Sequence, residues 1–172
     1  SNSRAPAAAT RESVRSLSIS ILPTWVEPTF DAVLYIASNM RDADRREAEG
    51  VLEDPSPALI AREACKPHSL VRMFARERPI AVIGVTQTDK STWVAWGFGT
   101  AEFPKIAKSA TRYVKSALLP TLRTLGMLRA EAQSLVDNVD AHAWMRLTGA
   151  EFDEDLKAFG LNGEDFVQYR WR

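Results

Sequence analysis

Residues 138–152 read NVDAHAWMRLTGAEF. The run opens on Asn138, a residue type that suits a helix start. It reaches Gly149, which can adopt the left-handed backbone that ends a helix. A short helix released by Gly149 into a strand is expected here. Downstream, AEFDEDLKAF and EDFVQYRWR predict two closing strands, with the Asn-Gly of GLNGE as a tight hairpin turn between them. Upstream, Gly126 frees the chain into a strand over MLRAEAQSL.

Before that strand lies a long amphipathic helix. Ala107, Ala110, Val114, Ala117 and Leu118 share one face, and Lys105, Lys108, Arg112 and Lys115 the other. Pro120, which has no N–H, is expected to bend or break it. The segment SLVRMFARERPIAVIGVTQTDKSTWVAWGFGT predicts three strands, with turns at Glu77 to Pro79 and Asp89 to Ser91. Three short helices precede it. One runs through TFDAVLYIASNM with Pro28 in its first turn, one is the charged RDADRREAEGV stopped by Gly50, and one is PALIAREACK. A strand over LSISIL, residues 17–22, comes first. The order is strand, helices, three antiparallel strands, long helix, strand, helix, two strands. It predicts an α/β (α+β) fold: a mixed, mostly antiparallel central sheet, flanking helices and one long amphipathic crossover helix. Residues 1–16 are polar and Ala/Ser-rich and read as a flexible arm; residues 17–172 read as one domain.

Composition narrows the function classes. The chain has 172 residues, 45% hydrophobic and 26% charged, and its 22 basic and 22 acidic residues cancel. No whole-molecule field draws it onto nucleic acid or anionic lipid. The single cysteine, Cys65, excludes an internal disulfide framework and a multi-cysteine metal site. His68 stands three residues on, yet Cys65 reads as a packing residue at a helix end rather than a nucleophile, and no metal site is expected. No apolar run approaches the roughly 18 residues of a membrane span. The expected setting is a reducing cytoplasm or a particle assembled there.

The element order, together with Asn138, Ala141 and Gly149, resembles the GNAT family of acetyl-CoA-dependent N-acetyltransferases over residues 17–172. The resemblance implies that Asn138 contacts the cofactor or caps the helix, and that Gly149 turns the chain into the next strand. The phrases YIASNMRDADRREA, WGFGT and LLPTLRTLGMLRAEAQSLVDNVDAHAWMRLTGAEFDEDLKAFGLNGEDFVQYRWR also resemble GNAT-like proteins of short-tailed bacteriophages. These are often internal or associated components of the virion.

The family cradles the cofactor's pyrophosphate on a Gln/Arg-x-x-Gly-x-Gly/Ala loop, where free backbone N–H groups meet phosphate. Here the register is Trp96-Gly97-Phe98-Gly99-Thr100-Ala101, with Trp in the place of Gln or Arg. Glu102 sets a negative charge beside it, and Pro104 removes a donor. The loop therefore reads as a strand end and a helix start, with Thr100 as N-cap. The Tyr that often protonates the leaving thiolate is replaced by Met145. Tyr113, Tyr169, Glu131 and His142 are the substitutes, each with a structural reading: core, strand alternation, solvent-facing charge and packing.

The leading expectation is thus a virion-associated structural or assembly protein of the core, portal or tail region, with no catalytic residues and no cofactor. It would dock other virion proteins or copies of itself through Lys105, Lys108, Arg112, Lys115 and Arg123, with DNA contact less favoured. Residues 103–130 carry six basic residues and no acid, whereas residues 131–165 carry nine acids against Arg146 and Lys157. The alternative is an acetyl-CoA-dependent N-acetyltransferase for a protein or small amine, binding its cofactor through Gly99, Thr100, Ala101 and Asn138. A third is a binding module that keeps the cleft without catalysis.

Overall fold

The computed structural model describes residues 24–67 and 69–172. The expected arm (1–16), the LSISIL strand (17–22) and His68 lie outside the described residues. From the first helix onward the element order is the expected one; the strand before it, Thr24–Val26, is not among those expected. Strand β1 (Thr24–Val26) is followed by helices α1 (Phe30–Ser38), α2 (Asp42–Val51) and α3 (Pro57–Ala64). Strands β2 (Ser69–Ala75), β3 (Pro79–Gln87) and β4 (Thr92–Gly99) come next. The crossover helix has two α-helical parts, α4 (Ala107–Tyr113) and α5 (Leu119–Thr124); then come β5 (Arg129–Leu135), α6 (Val139–Leu147), β6 (Glu151–Leu156) and β7 (Phe166–Trp171).

The strands form one seven-stranded sheet in the order β1-β2-β3-β4-β5-β7-β6. Every neighbouring pair is antiparallel except β4 with β5. The side chains of Ile83, Val85 and Trp93 meet the crossover helix and α6 in the larger core, with Leu118, Leu122, Met145 and Tyr169. The opposite face carries Val71, Met73 and Val82, which pack on Val33 and Ile36 of α1 and Ala61 of α3. The sheet is thus covered by the crossover helix and α6 on one side and by α1 to α3 on the other.

Several expectations need correction. Pro28 lies before the helix, and Thr29 is the N-cap of α1, its hydroxyl accepting the Ala32 N–H. Pro120 does not break the crossover helix. A π-helical turn, Val114–Leu118, joins α4 to α5, with the Leu119 N–H bonded to the Val114 carbonyl. The widened turn relieves the clash that a proline ring makes with the preceding turn. Gly50 lies inside α2, one residue before its end, and is buried, where a Cβ would lie 3.1 Å from the Phe166 ring. The β6–β7 connection spans residues 157–165, longer than a tight hairpin. Asn162-Gly163 forms only a local turn inside it, with Gly163 at φ +86° and its N–H on the Gly160 carbonyl. Leu161 from this loop donates its N–H to the Gly50 carbonyl at 2.8 Å.

Two tests follow from this packing. Gly84 of β3 is buried, and a Cβ there would lie 2.3 Å from the Trp96 indole. Gly84→Ala should therefore cost about 1–3 kcal/mol in urea unfolding through overpacking, with Trp96 fluorescence altered in the folded state. On β6, Asp153 accepts from Gln168 at 2.8 Å and from Arg170 at 2.9 Å, and pairs with Arg129. The Gln168 hydrogen bond foremost, then the charges of Arg129 and Arg170, hold its carboxyl below the usual carboxylate range. A depressed folded pKa stabilises above the unfolded value of about 3.9, and that contribution is lost as pH falls through the folded pKa. Asp153→Asn should lower stability at pH 7 and flatten the loss seen between about pH 4 and lower pH, read by urea midpoints at each pH.

Candidate functional site

The site begins where the sheet comes apart. Strands β4 and β5 pair only through Thr92 with Arg129, Trp93 with Ala130 and Val94 with Glu131. Beyond these residues β4 continues to Gly99 and β5 to Leu135 as separate strands. The edge of β4 from Ala95 onward has no strand partner on that side. Backbone polar groups at such an edge must find other acceptors and donors.

Helix α2 supplies them. Asp44 Oδ2 accepts the Gly99 N–H at 2.8 Å, and the Arg41 N–H donates to the Gly99 carbonyl at 2.9 Å. One turn on, Glu47 Oε1 accepts from the Leu135 N–H at 3.0 Å, the Ser134 hydroxyl at 2.6 Å and Asn138 Nδ2 at 2.7 Å. Asp44 and Glu47 share a helix face at the i, i+3 spacing. One carboxylate therefore holds the free end of β4 and the other the free end of β5. Asp44 is 7% exposed and also takes Arg41 Nε at 2.7 Å. The Arg41 guanidinium lies 4.3 Å from the centre of the Phe103 ring.

A chamber opens on each side of this gap. The one toward the crossover helix and α6, about 450 Å³, is lined by Phe103, Ala107, Leu119, Trp144 and Met145 among others. The one toward α2 and α3, about 560 Å³, is lined by Leu52, Leu59, Ile60 and Phe166 among others. Both have Asp44, Glu47, Ala95, Trp96, Gly97, Phe98 and Gln133 in their walls. The gap between β4 and β5 is thus a slot through the sheet, with two carboxylates beside it.

The predicted loop residues meet this slot only at its end. Gly99 is buried, and its backbone groups are held by Asp44 of α2 and by Arg41 at the N-cap of that helix. Thr100 donates its N–H to the Ile80 carbonyl at 2.8 Å, and its hydroxyl accepts the Glu102 N–H at 3.2 Å. The expected cap is not made: the 3₁₀ turn Phe103–Lys105 has Glu102 as its N-cap and α4 has Ile106. Phe103, Lys105 and Ile106 give their N–H groups to carbonyls of Thr100, Glu102 and Phe103. Ala101 is exposed. Glu102 is held below the usual carboxylate range by Lys105 and then Arg78. In this conformation the loop offers a phosphate few free donors.

Asn138 occupies the N-cap position of α6 but makes no side-chain capping bond, since its amide is drawn to Glu47. Gly149, at φ +101°, makes the expected turn into β6. Met145 is buried in the chamber wall. Tyr113 packs against Trp25 and Phe74, and burial pushes its phenol up. The Tyr169 hydroxyl accepts from Arg146, and its ring lies against His142, whose Nε2 bonds the Leu135 carbonyl at 2.9 Å. Glu131 pairs with Arg129 at 2.8 Å and is half-buried rather than solvent-facing. None of these four side chains lines either chamber.

Lys108, Arg112 and Lys115 are exposed, as the stripe requires. Lys105 is engaged by Glu102 at 2.7 Å, and Arg123 donates to the Arg172 carbonyl at 2.7 Å. Cys65 is the C-cap of α3 and is exposed rather than packed, and partial desolvation pushes its thiol up, away from a reactive thiolate. Among the described residues there is no cluster of His, Cys, Asp or Glu placed to hold a metal ion, and no helix long and apolar enough to cross a membrane.

Reading the sequence alone missed Asp44 and Glu47. The available sign was a helix, DADRREAEGV, with small residues but no apolar stripe. Such a helix can pack only if its inner face finds polar partners.

Compared by sequence, the chain matches no family model and no curated protein. Compared by structure, it superposes on the ribosomal-protein-S18-alanine N-acetyltransferase of Escherichia coli with a TM-score of 0.64 at 11% identity, covering 87% of this chain and 92% of that one. An aminoglycoside 6′-acetyltransferase of type Ii gives 0.64 at 15% identity, covering 86% and 96%. The fold is that of the GNAT acetyltransferases. A third GNAT-fold neighbour, the microcin C7 self-immunity acetyltransferase MccE crystallised with acetyl-CoA and AMP, gives 0.63 at 10% identity over 87% and 92%. At such identities the likeness fixes the GNAT architecture and carries no residue roles with it.

The carboxylate that holds β5 is directly testable. Glu47→Ala leaves the buried Ser134 hydroxyl and the Leu135 N–H without their acceptor and should cost about 2–4 kcal/mol. Glu47→Gln keeps an acceptor oxygen and should cost about 1 kcal/mol or less. Urea unfolding of the three proteins checks the order.

Proposed function

We propose that this chain is a CoA-dependent N-acyltransferase that passes an acyl group through the slot between β4 and β5. The observation that carries the reading is the slot itself, with a chamber on either face and Glu47 in the walls of both. One chamber would take the thioester donor and the other an amine. The unpaired edge of β4 from Ala95 onward suits an extended arm bearing amides, which can pair with a strand edge as a peptide does. The apolar wall of Ala107, Leu119 and Met145 suits its methylenes. Acetyl-CoA, when bound, supplies a thioester whose carbonyl carbon an amine attacks, forming C–N as C–S breaks.

The chain's own groups have defined tasks in that reading. Glu47 holds its three donors on Oε1, and Oε2 takes none of them. Oε2 is the group suited to accept the proton that the amine loses. No tyrosine lines the chambers, but a thiol of pKa about 8.5 can leave as its thiolate, so a donor at Met145 is dispensable. The pyrophosphate is poorly served by the Thr100–Ile106 loop as it stands. Ala101, Lys108 and Arg112 near the start of the crossover helix are the groups left to meet it.

The used donors of that loop favour a second reading. In it the chain is a virion-associated structural or assembly component, docking through Lys108, Arg112 and Lys115 without acyl transfer. The structural likeness supports the transferase and is silent on a virion.

Thiol release from acetyl-CoA with a panel of amines separates the two. The transferase reading expects amine-dependent CoA release, and a roughly 10²–10³-fold loss of kcat/KM in Glu47→Gln that retains the wild-type fold. No release above background on any amine, with the chain found at fixed copy number in purified phage particles, overturns it in favour of the structural role.

A further inference from the structure

We infer that the chamber on the α2–α3 face takes a small primary amine with one positive charge and an apolar, arylalkyl-type body. This rests on the transfer reading for its consequence, but the argument concerns the chamber alone. The apolar part of its wall is aliphatic and aromatic: Val51 and Leu52 at the end of α2, Leu59 and Ile60 on α3, and Trp96 and Phe98 on β4. The volume of about 560 Å³ lies in the usual range for small-ligand pockets.

Trp96 and Phe98 form one aromatic surface, with centroids 6.2 Å apart and planes inclined by 17°. Trp96 lies over Gly84, the one β3 residue type that leaves room for the indole there. Its Nε1–H is satisfied by the Thr86 hydroxyl at 3.1 Å, so the ring meets the chamber as an apolar and cation-attracting surface. Trp96 is also the residue standing where the resembled family's phosphate loop begins with Gln or Arg. The structure assigns it to the opposite task, as part of the wall shared with the acceptor chamber.

Charge selects the other end of the ligand. Asp44 and Glu47 stand at the slot, and Asp54 and Glu63 on the rim. Asp44 is neutralised by Arg41 at 2.7 Å, and Lys66, the one cation of the chamber wall among the described residues, is 2.6 Å from Glu63. Glu47 differs. Its three hydrogen-bond donors, Ser134, Leu135 and Asn138, are uncharged, and its neighbour Arg46 is engaged by Asp137 at 2.9 Å. A half-buried carboxylate that makes no close ion pair among the described residues, Arg46 acting on it only at longer range, is matched by an ammonium group. An alcohol of the same shape would leave the Glu47 charge unmatched.

The test is calorimetry on the full chain without acetyl-CoA, titrating 2-phenylethylamine, 2-phenylethanol and spermidine. The amine should bind at least tenfold tighter than the alcohol and tighter than spermidine. Glu47→Gln should bring amine and alcohol within about twofold, and Leu59→Trp, which fills the chamber away from the slot, should abolish binding of both. Equal binding of amine and alcohol, preference for spermidine, or full amine affinity in Leu59→Trp would overturn the assignment. Because Leu59 makes none of the strand-end contacts, that variant decides the matter even if Glu47→Gln folds poorly. Amine binding of this pattern without CoA release would sink the transfer reading and leave the amine site standing. CoA release without this pattern would do the reverse.

Discussion

The structure depends on how two carboxylates one helical turn apart replace a strand pairing. Once β4 and β5 part beyond Val94, the backbone at both ends needs partners in a place that water reaches poorly. Asp44 and Glu47 supply them from the same face of α2. A turn of helix is stiff, and its side chains project at a fixed pitch. The separation of the strand ends is thereby tied to helix geometry, and the opening through the sheet is a built feature rather than a packing fault. The composition of α2 follows from the same need. Its inner side carries Asp44 and Gly50, both buried, where an amphipathic helix would present leucines.

Much of the architecture was legible in the sequence because it rests on local rules. The alternation in β2 to β4, the turns at Glu77 to Pro79 and Asp89 to Ser91, and Gly149 at positive φ all express constraints within a few residues. What escaped reading depends on partners distant in the chain. Gly50 resembles a helix stop until Phe166 arrives over it. Pro120 resembles a break until a π turn takes up the strain. Asn138 looks like a cap, and by position it is one, yet Glu47 from another helix claims its amide. The tight Asn-Gly hairpin was misread because Leu161 ties its loop to α2.

The candidate site was legible only in part. Trp96, Glu102, Pro104 and Met145 mark departures from the motif of the resembled family, and the N–H groups of Phe103, Lys105 and Ile106 are bonded within the loop. The two carboxylates lay in a short charged helix. Charged residues are commonest on solvated surfaces, and nothing along the chain marks Asp44 and Glu47 as facing inward. Only the topology, which brings the ends of β4 and β5 beneath α2, distinguishes them from their neighbours Asp42 and Glu49.

The seam between β4 and β5 also divides the chain in time. Strands β1 to β4 are contiguous in sequence and pair with their immediate successors, and β5 to β7 form a second contiguous group. Only three residue pairs join the groups directly. Within the groups, β2–β3, β3–β4 and β6–β7 close over short connections with little loop-closure entropy, whereas β1–β2 and β5–β7 pair across intervening elements. The parallel junction must wait for the crossover helix. A ribosome delivers the first half, α2 included, before any residue of β5 exists, so Asp44 can find Gly99 while Glu47 has no strand end to hold. The slot is completed last, by the arrival of Ser134, Leu135 and Asn138 at a carboxylate already in place.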